Sequence, residues 1–252
     1  MKSTAWESFV KTRERYRDEI ARLQKSLPGL QAVVQKLVDG HSPSYRVETP
    51  AVYNSALDDI NPDSKISMIL VGDNPGRREQ AAENRRYLVG PSGKIAEKFF
   101  SGNPSLGMDF RKNVIILNKT PIHTPRTAQL KDICRFGGKE LETAIAQSQR
   151  FMAGILADFQ QALCIGGKPV PIWITGYSEM KKGGVFEVYT NELKNIYGPQ
   201  GEKAAFGNTL FLYRHFSMNQ FTIDLKKQTL PGESITETLA RIGKAYRQRF
   251  LF

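Results

Sequence analysis

The stretch ISMILVGDNPGRREQAAENRRYLVGPSGKIAEKFF, residues 66–100, carries the pattern that decides the fold. Its first six residues are apolar except for Ser67. They are too few for a helix of ordinary length, and a glycine ends them, so the run predicts a buried β-strand. The next five, GDNPG at residues 72–76, combine glycine, proline and short polar side chains, which indicates a tight loop. A second glycine-rich loop, VGPSG at residues 89–93, leads into an amphipathic run that predicts a helix.

Three more apolar runs predict strands at residues 113–118, 169–175 and 209–215. Periodic apolar residues predict helices around them, including a long one at residues 138–163. Strands that alternate with helices favour a parallel sheet covered on both faces. The sequence therefore predicts an α/β fold, a three-layer α/β/α sandwich with a central four-stranded parallel sheet.

Each of the four predicted strands ends at, or is followed by, a polar residue or a glycine. The carboxyl ends of parallel strands meet at one edge of the sheet, where open α/β sheets bind ligands. We therefore expect these five residues to lie together: Asp73, Asn74, Asn118, Gly176 and His215.

The length of 252 residues allows one sizeable core, and we expect a single domain over residues 1–252. Residues 1–40 carry two amphipathic patterns separated by a proline and a glycine. They predict two helices that form an amino-terminal extension packed on this domain.

The composition limits the classes of partner and cofactor. Lysine and arginine outnumber aspartate and glutamate by 36 to 25, a formal charge of +11, which favours a polyanionic partner or an acidic surface but does not decide against a merely soluble basic protein. Two cysteines and three histidines leave no disulfide framework, and we expect neither a metal nor another cofactor. The first residues are charged and no apolar run has membrane length, so we expect a cytoplasmic protein without membrane contact.

The ordered set of motifs resembles the uracil-DNA glycosylase superfamily. Members carry a G-x-x-P-G type loop after a strand, here GDNPG at residues 72–76, and one bacterial branch has a downstream F-V-G-x-A-G, here LVGPSG at residues 88–93. Asn118 stands where the family has a base-reading asparagine, and His215 where it has a catalytic-loop histidine. The resemblance covers residues 66–220. It implies hydrolysis of the N-glycosidic bond of a flipped uracil or related deaminated or damaged base in DNA, the first step of base excision repair.

The chemistry assigns a role to each polar residue. Breaking the bond leaves negative charge on the base, so the site must stabilise an anion and position a water. By the resemblance, Asn118 reads the N3–H and O4 edge of uracil and neutral His215 donates to O2. Asn74 positions the water, with Asp73 as an accessory carboxylate or base. Taken singly, an asparagine after a strand is as often an Asx-turn residue, and a lone histidine is more often a satisfied buried side chain.

The resemblance implies further contacts with the base and with DNA. The base contacts fall on Gly72, Pro75, Tyr87 and Leu88. The DNA contacts fall on Gly76, Arg77, Arg78, Gly90, Ser92, Gly93, Lys94, Phe216, Ser217 and Met218. Among these, Met218 is our choice for an apolar wedge inserted into the duplex, although it could equally be core, and the basic residues could equally form a solvated face.

Three departures from the family pattern bear on function. The bacterial branch binds an iron-sulfur cluster through four cysteines, and this chain has two, so the cluster is not carried over. The base-stacking phenylalanine falls on Leu88, and Phe216 replaces the proline that usually follows the histidine. The base is then uracil first, with hypoxanthine, mismatched thymine or oxidised pyrimidines as alternatives. We expect a monomer that acts on DNA; the rival hypotheses are a catalytically silent DNA-binding relative and a small-nucleotide α/β enzyme.

Overall fold

A computed structural model describes Met1 and residues 3–252. The sheet has four strands, β1 (Met68–Gly72), β2 (Val114–Asn118), β3 (Ile172–Thr175) and β4 (Leu210–Tyr213). The first four helices are α1 (Ser3–Ser26), α2 (Pro28–Asp39), the single turn α3 (Arg77–Gln80) and α4 (Pro91–Ser101). The last four are α5 (Leu130–Ala162), α6 (Glu187–Tyr197), α7 (Gln220–Gln228) and α8 (Ile235–Phe250).

The four strands form one parallel sheet in the order β2-β1-β3-β4. At the carboxyl edge Gly72 pairs with Asn118, and Thr175 pairs with Tyr213. All residues of β1, β2 and β3 are buried, as expected for a parallel sheet covered on both faces. The predicted four-stranded parallel sheet is therefore confirmed, with strand bounds shifted by one to three residues.

Alternate residues of each strand face opposite helical layers. Ile69 and Val71 of β1 belong to a core shared with α1, α2, α5 and α6. Met68 and Leu70 belong to a second core shared with α4, α7 and α8. Because a strand has a side-chain period of two, one apolar run supplies both cores. The three-layer α/β/α sandwich is confirmed.

The two amino-terminal helices contact the same core as the sheet. Apolar residues of α1 and α2, including Phe9 and Val34, lie in the same core as the sheet residues. Tyr16 of α1 also reaches the second glycine-rich loop, where its hydroxyl lies 2.6 Å from that of Tyr87. Tyr87 donates its own proton to the Val52 carbonyl at 2.6 Å, so Tyr16 must be the donor between the two hydroxyls.

Three details differ from the sequence-based expectation. The long helical segment begins at Leu130, not at residue 138, and is divided by a kink at Gly138, whose φ of +68° and ψ of −167° are not helical. A short 3₁₀ turn, Ser55–Asp59, interrupts the loop predicted for residues 41–65. Helices α3 and α7 were not predicted, because four and nine residues are too few to give a clear apolar period.

Candidate functional site

The carboxyl ends of the strands bring the predicted polar residues to one edge of the sheet. Gly72 and Asn118 are paired across β1 and β2, and the Gly176 amide donates to the Tyr213 carbonyl at 2.9 Å. Asp73 lies against Gly176, where a Cβ would sit 2.4 Å from Oδ1 of the carboxylate. The segments that carry these residues therefore meet at one edge of the sheet.

Asn118 is the most buried of the four predicted polar residues at this edge, which are Asp73, Asn74, Asn118 and His215. It is 2 % exposed, and its Nδ2 has no hydrogen-bond partner within the described residues. A Cβ on Gly72 would lie 2.5 Å from Asn118 Oδ1, so only glycine at position 72 lets this amide occupy its place. A buried donor without a partner costs about 1–3 kcal/mol, which a ligand acceptor would recover.

His215 presents a defined hydrogen-bonding state. Its Nδ1 accepts from the Ser217 amide at 3.0 Å, so in the neutral ring the proton is on Nε2. Burial lowers the pKa of His215, the Asp73 carboxylate raises it and the Lys119 ammonium lowers it again. The net result is a pKa below the ordinary value for histidine, which favours a neutral ring with a free Nε2–H donor.

The side chain of Asn74 is held by the segment that follows β2. Its Nδ2 donates to the Ile122 carbonyl at 3.2 Å and to Thr124 Oγ1 at 2.8 Å, and its Oδ1 accepts from Thr127 Oγ1 at 3.0 Å. Both donors are therefore used, and one lone pair of Oδ1 remains for a water. This is the one way in which Asn74 can still position a nucleophile.

Lys119, which the sequence analysis did not single out, lies at the centre of the edge. Its side chain is fully buried and its ammonium bonds to Asp73 Oδ1 at 2.6 Å. The carbonyl oxygens of Thr175 at 2.5 Å and Gly72 at 3.3 Å complete its contacts. One residue thus connects the carboxyl ends of β1, β2 and β3.

His123 is a second residue that the sequence analysis did not single out, and its ring is hydrogen-bonded to the first loop, residues 72–76. Its Nδ1 lies 2.7 Å from the Pro75 carbonyl, which can only accept, so Nδ1 carries the proton. Its Nε2 then accepts from the Tyr45 hydroxyl at 2.9 Å. The side chain is fully buried, and this burial lowers its pKa to about 4.

The second glycine-rich loop is held by backbone contacts. Leu88 has a φ of +53°, and its carbonyl accepts from Arg111 Nη2 at 2.6 Å. A Cβ on Gly93 would lie 1.5 Å from that carbonyl, so glycine is required there. Glu79 accepts from the Gly76 amide at 3.0 Å, and burial raises its pKa to about 7.

Two of the predicted contact residues are not where the sequence analysis expected them. Tyr87 is 1 % exposed and its hydroxyl is bonded within the protein, so its ring cannot stack on a base. Phe216 is fully buried and stacks on Phe221 with ring centroids 4.4 Å apart, so it cannot enter a duplex. Leu88 is also buried, at 5 % exposure, which leaves the stacking surface for a base without an aromatic ring from this loop.

Other predicted DNA contacts lie at the surface beside the site. Met218 is 82 % exposed and, like Asn219, has a positive φ, which lifts it out of the aromatic core beneath. Arg77 and Arg78 line an open cleft of about 720 Å³ with Tyr45 and Arg46, and Arg77 lies 4.8 Å above the Tyr45 ring. None of the ion pairs in the described part of the chain involves these three arginines.

The remaining predicted contacts flank the start of α4. Gly90 precedes this helix, Gly93 is buried inside its first turn, Ser92 is partly exposed and Lys94 is exposed. Ser217, beside Met218, is partly exposed and Gly76 caps α3. The amides at the amino end of the eleven-residue α4 are of the kind that bind phosphate oxygens.

Comparison with known protein families and with curated proteins assigns no function to the chain. A scan against models of known protein families finds no match, and a search of curated proteins finds no significant match. Apart from the undescribed residue 2, no three side chains of histidine, cysteine, aspartate or glutamate are grouped as metal ligands. Within the described residues, every helix is too short or too polar to cross a bilayer.

Proposed function

We propose that the protein is a DNA glycosylase of the uracil-DNA glycosylase type, which hydrolyses the bond between deoxyribose and a flipped uracil or related base. The observation that carries this proposal is the unpartnered, buried Nδ2 of Asn118, on the same sheet edge as the free Nε2–H of His215. Buried amide donors in folded proteins are almost always hydrogen-bonded, so a partner from outside the chain, either a water or a ligand, is expected for this one.

The two donors match the pattern of uracil. Uracil presents acceptors at O4 and O2 and a donor at N3, and an asparagine amide can donate to O4 while its Oδ1 accepts from N3–H. Cytosine carries a donor at position 4 and an acceptor at N3, so the same amide orientation rejects it. His215 then donates to O2, where negative charge collects as the bond breaks.

The nucleophile is assigned to a water held by the first loop. Asn74 Oδ1 has one free lone pair, and within the described residues the Asp73 Oδ2 atom forms no hydrogen bond. Asp73 is 14 % exposed at its side chain, so water reaches it. Its negative charge also stabilises the positive charge that develops on the sugar.

The surface next to the site supports DNA as the carrier of the base. Arg46, Arg77 and Arg78 line one cleft, which Glu48 and Glu83 also line. Within the described residues none of the three arginines forms an ion pair, whereas many other arginines do. Exposed Met218 lies two residues beyond buried Phe216 and is the side chain placed to fill the gap left by a flipped nucleotide.

The test uses oligonucleotides that carry a single uracil, hypoxanthine or mismatched thymine, with abasic sites measured after alkaline cleavage. We expect product from uracil, a loss of about 10²–10³-fold in single-turnover rate for His215→Ala, and a loss of at least similar size for Asn118→Ala. Asn191→Ala, the same truncation at an exposed position of α6, is the matched control and should keep the wild-type rate.

The same assay separates the rival hypotheses. Salt-dependent DNA binding without product from any base would overturn the enzyme and support the silent DNA-binding relative. Absence of both binding and product would leave the small-nucleotide enzyme. Product that persists in Asn118→Ala would show that this amide does not read the base.

A further inference from the structure

The Lys119 ammonium is bonded on every side. It is fully buried, which is uncommon for lysine unless it is paired, and Asp73 Oδ1 with the carbonyls of Thr175 and Gly72 provides three acceptors. The Phe186 ring lies 4.9 Å from Nζ. Only a protonated amine has three hydrogens for three acceptors, so the geometry favours the charged form, against the burial that lowers the pKa of Lys119.

The same residue holds Asp73 through its backbone as well. The Lys119 amide donates to the carbonyls of Gly72 at 3.1 Å and Asp73 at 3.0 Å. Gly176 packs against the carboxylate from the β3 side, where a Cβ would approach Oδ1 to 2.4 Å. Asp73 is therefore fixed between β1, β2 and β3, in contact with Lys119, which directly follows Asn118 in the sequence.

We infer that Lys119 is a positioning residue for the proposed reaction, which fixes the Asp73 carboxylate beside His215 and balances its charge there. The inference rests on the proposed function for its consequence in base excision. Lys119 touches neither the base nor the sugar in this scheme; it acts through Asp73 and His215.

Two charges act on the imidazole from neighbouring strand ends. The Asp73 carboxylate raises the pKa of His215 and the Lys119 ammonium lowers it, with the larger effect from Asp73 after that of burial. The Glu179 carboxylate, in the turn after β3, raises the pKa of Lys119 itself. Removing the lysine charge alone leaves the carboxylate unbalanced, so His215 would become protonated at a higher pH and lose its role as a neutral donor.

The test is an NMR titration of His215 in four proteins: wild type, Lys119→Met, Asp73→Asn and the double variant. Methionine keeps most of the length of lysine without its charge. We expect the pH of half-protonation to fall in the order Lys119→Met, wild type, double variant, Asp73→Asn. The His215→Ala spectrum assigns the signal. Identical titrations in all four proteins would overturn the inference.

The double variant guards against a folding failure. Lys119→Met leaves a carboxylate without its cation, whereas the double variant removes both charges and retains a neutral pair of similar size. If the single variant does not fold, the comparison of wild type, Asp73→Asn and the double variant still has to show the stated order.

Excision kinetics form the second arm. The acidic limb of the single-turnover rate should move with the titration of His215, toward higher pH in Lys119→Met and lower pH in Asp73→Asn. A limb that stays fixed while the titrations move would overturn the positioning role. Wild-type protein without excision at any pH would instead refute the proposed function, while the titration order would still support the charge balance at His215.

Discussion

Because His123 is buried, the stability of the protein should decrease as the pH falls through the mildly acidic range. An unfolded chain exposes this ring with a pKa near 6.5, and burial in the folded protein lowers the pKa to about 4. Because the folded pKa is depressed, the stabilisation is complete above pH 6.5 and is lost as the pH falls toward 4. The shift of about 2.5 units corresponds to about 3 kcal/mol at 1.36 kcal/mol per unit.

The perturbation is His123→Asn, which keeps an amide hydrogen near the Pro75 carbonyl but has no ring to protonate. Between pH 7 and pH 5 the wild type should lose about 2 kcal/mol of its unfolding free energy through this residue, and the variant should not. The variant is less stable than wild type at pH 7, since the Tyr45 hydroxyl loses its acceptor, and the gap closes as the pH falls.

Urea unfolding at a series of pH values measures both proteins on the same scale. Tyr45→Phe is the control, because it removes the hydroxyl but leaves the His123 ring in place. Its unfolding free energy should be lower than that of wild type at each pH, with a similar dependence on pH. A difference between wild type and His123→Asn that is constant from pH 7 to pH 5 would refute the reasoning.

Three further predictions concern the loops and the DNA surface. Gly93→Ala should destabilise the protein by about 1–3 kcal/mol or more, since its Cβ would overlap the Leu88 carbonyl, whereas Gly90→Ala, with no atom within 4 Å, should leave the melting temperature nearly unchanged. Phe216→Ala should cost about 3–5 kcal/mol in urea unfolding and Met218→Ala almost nothing, while only Met218→Ala should weaken duplex binding without loss of stability. Arg77→Ala and Arg78→Ala should each lower the slope of log K against log salt by about 1 in oligonucleotide binding, and Arg15→Ala, paired with Asp158 on another face, should not; equal slopes in all three would contradict the DNA surface.

The sheet and its polar edge could be predicted because both follow from local patterns. Short apolar runs that end at glycine or at a polar residue predict buried strands, and parallel strands necessarily bring their carboxyl ends together. The position of Asn118 and His215 at one edge could therefore be predicted without knowing any contact between them. Their separation in sequence does not matter, since the strands alone fix their place.

The supporting residues could not be predicted in this way. Lys119 reads as an ordinary exposed lysine after a strand, and its burial depends on Asp73 and Thr175, which lie 46 and 56 positions away. His123 lies between prolines in a segment with no period, so no pattern indicates its partner. Glu79 gave no signal beyond its place four residues after a proline.

Side-chain direction within the loops was the other limit. Tyr87 adjoins the motif position at Leu88, but Leu88 has a left-handed backbone that no sequence pattern predicts, and the tyrosine lies in the core. Phe216 and Met218 are two residues apart in one loop, in which Met218 and Asn219 also have left-handed backbone angles. One points inward and the other outward, and composition alone cannot distinguish them.

The hydrogen bond between the hydroxyls of Tyr16 and Tyr87 ties α1 to the loop that precedes α4. A shortened chain that began after residue 40 would expose the Tyr87 hydroxyl on its unpaired side and uncover the apolar residues of α5 that α1 and α2 now shield. We therefore expect a chain trimmed to the segment between the first and last recognisable motif to be less stable, because it would lack part of the scaffold that contacts the second loop.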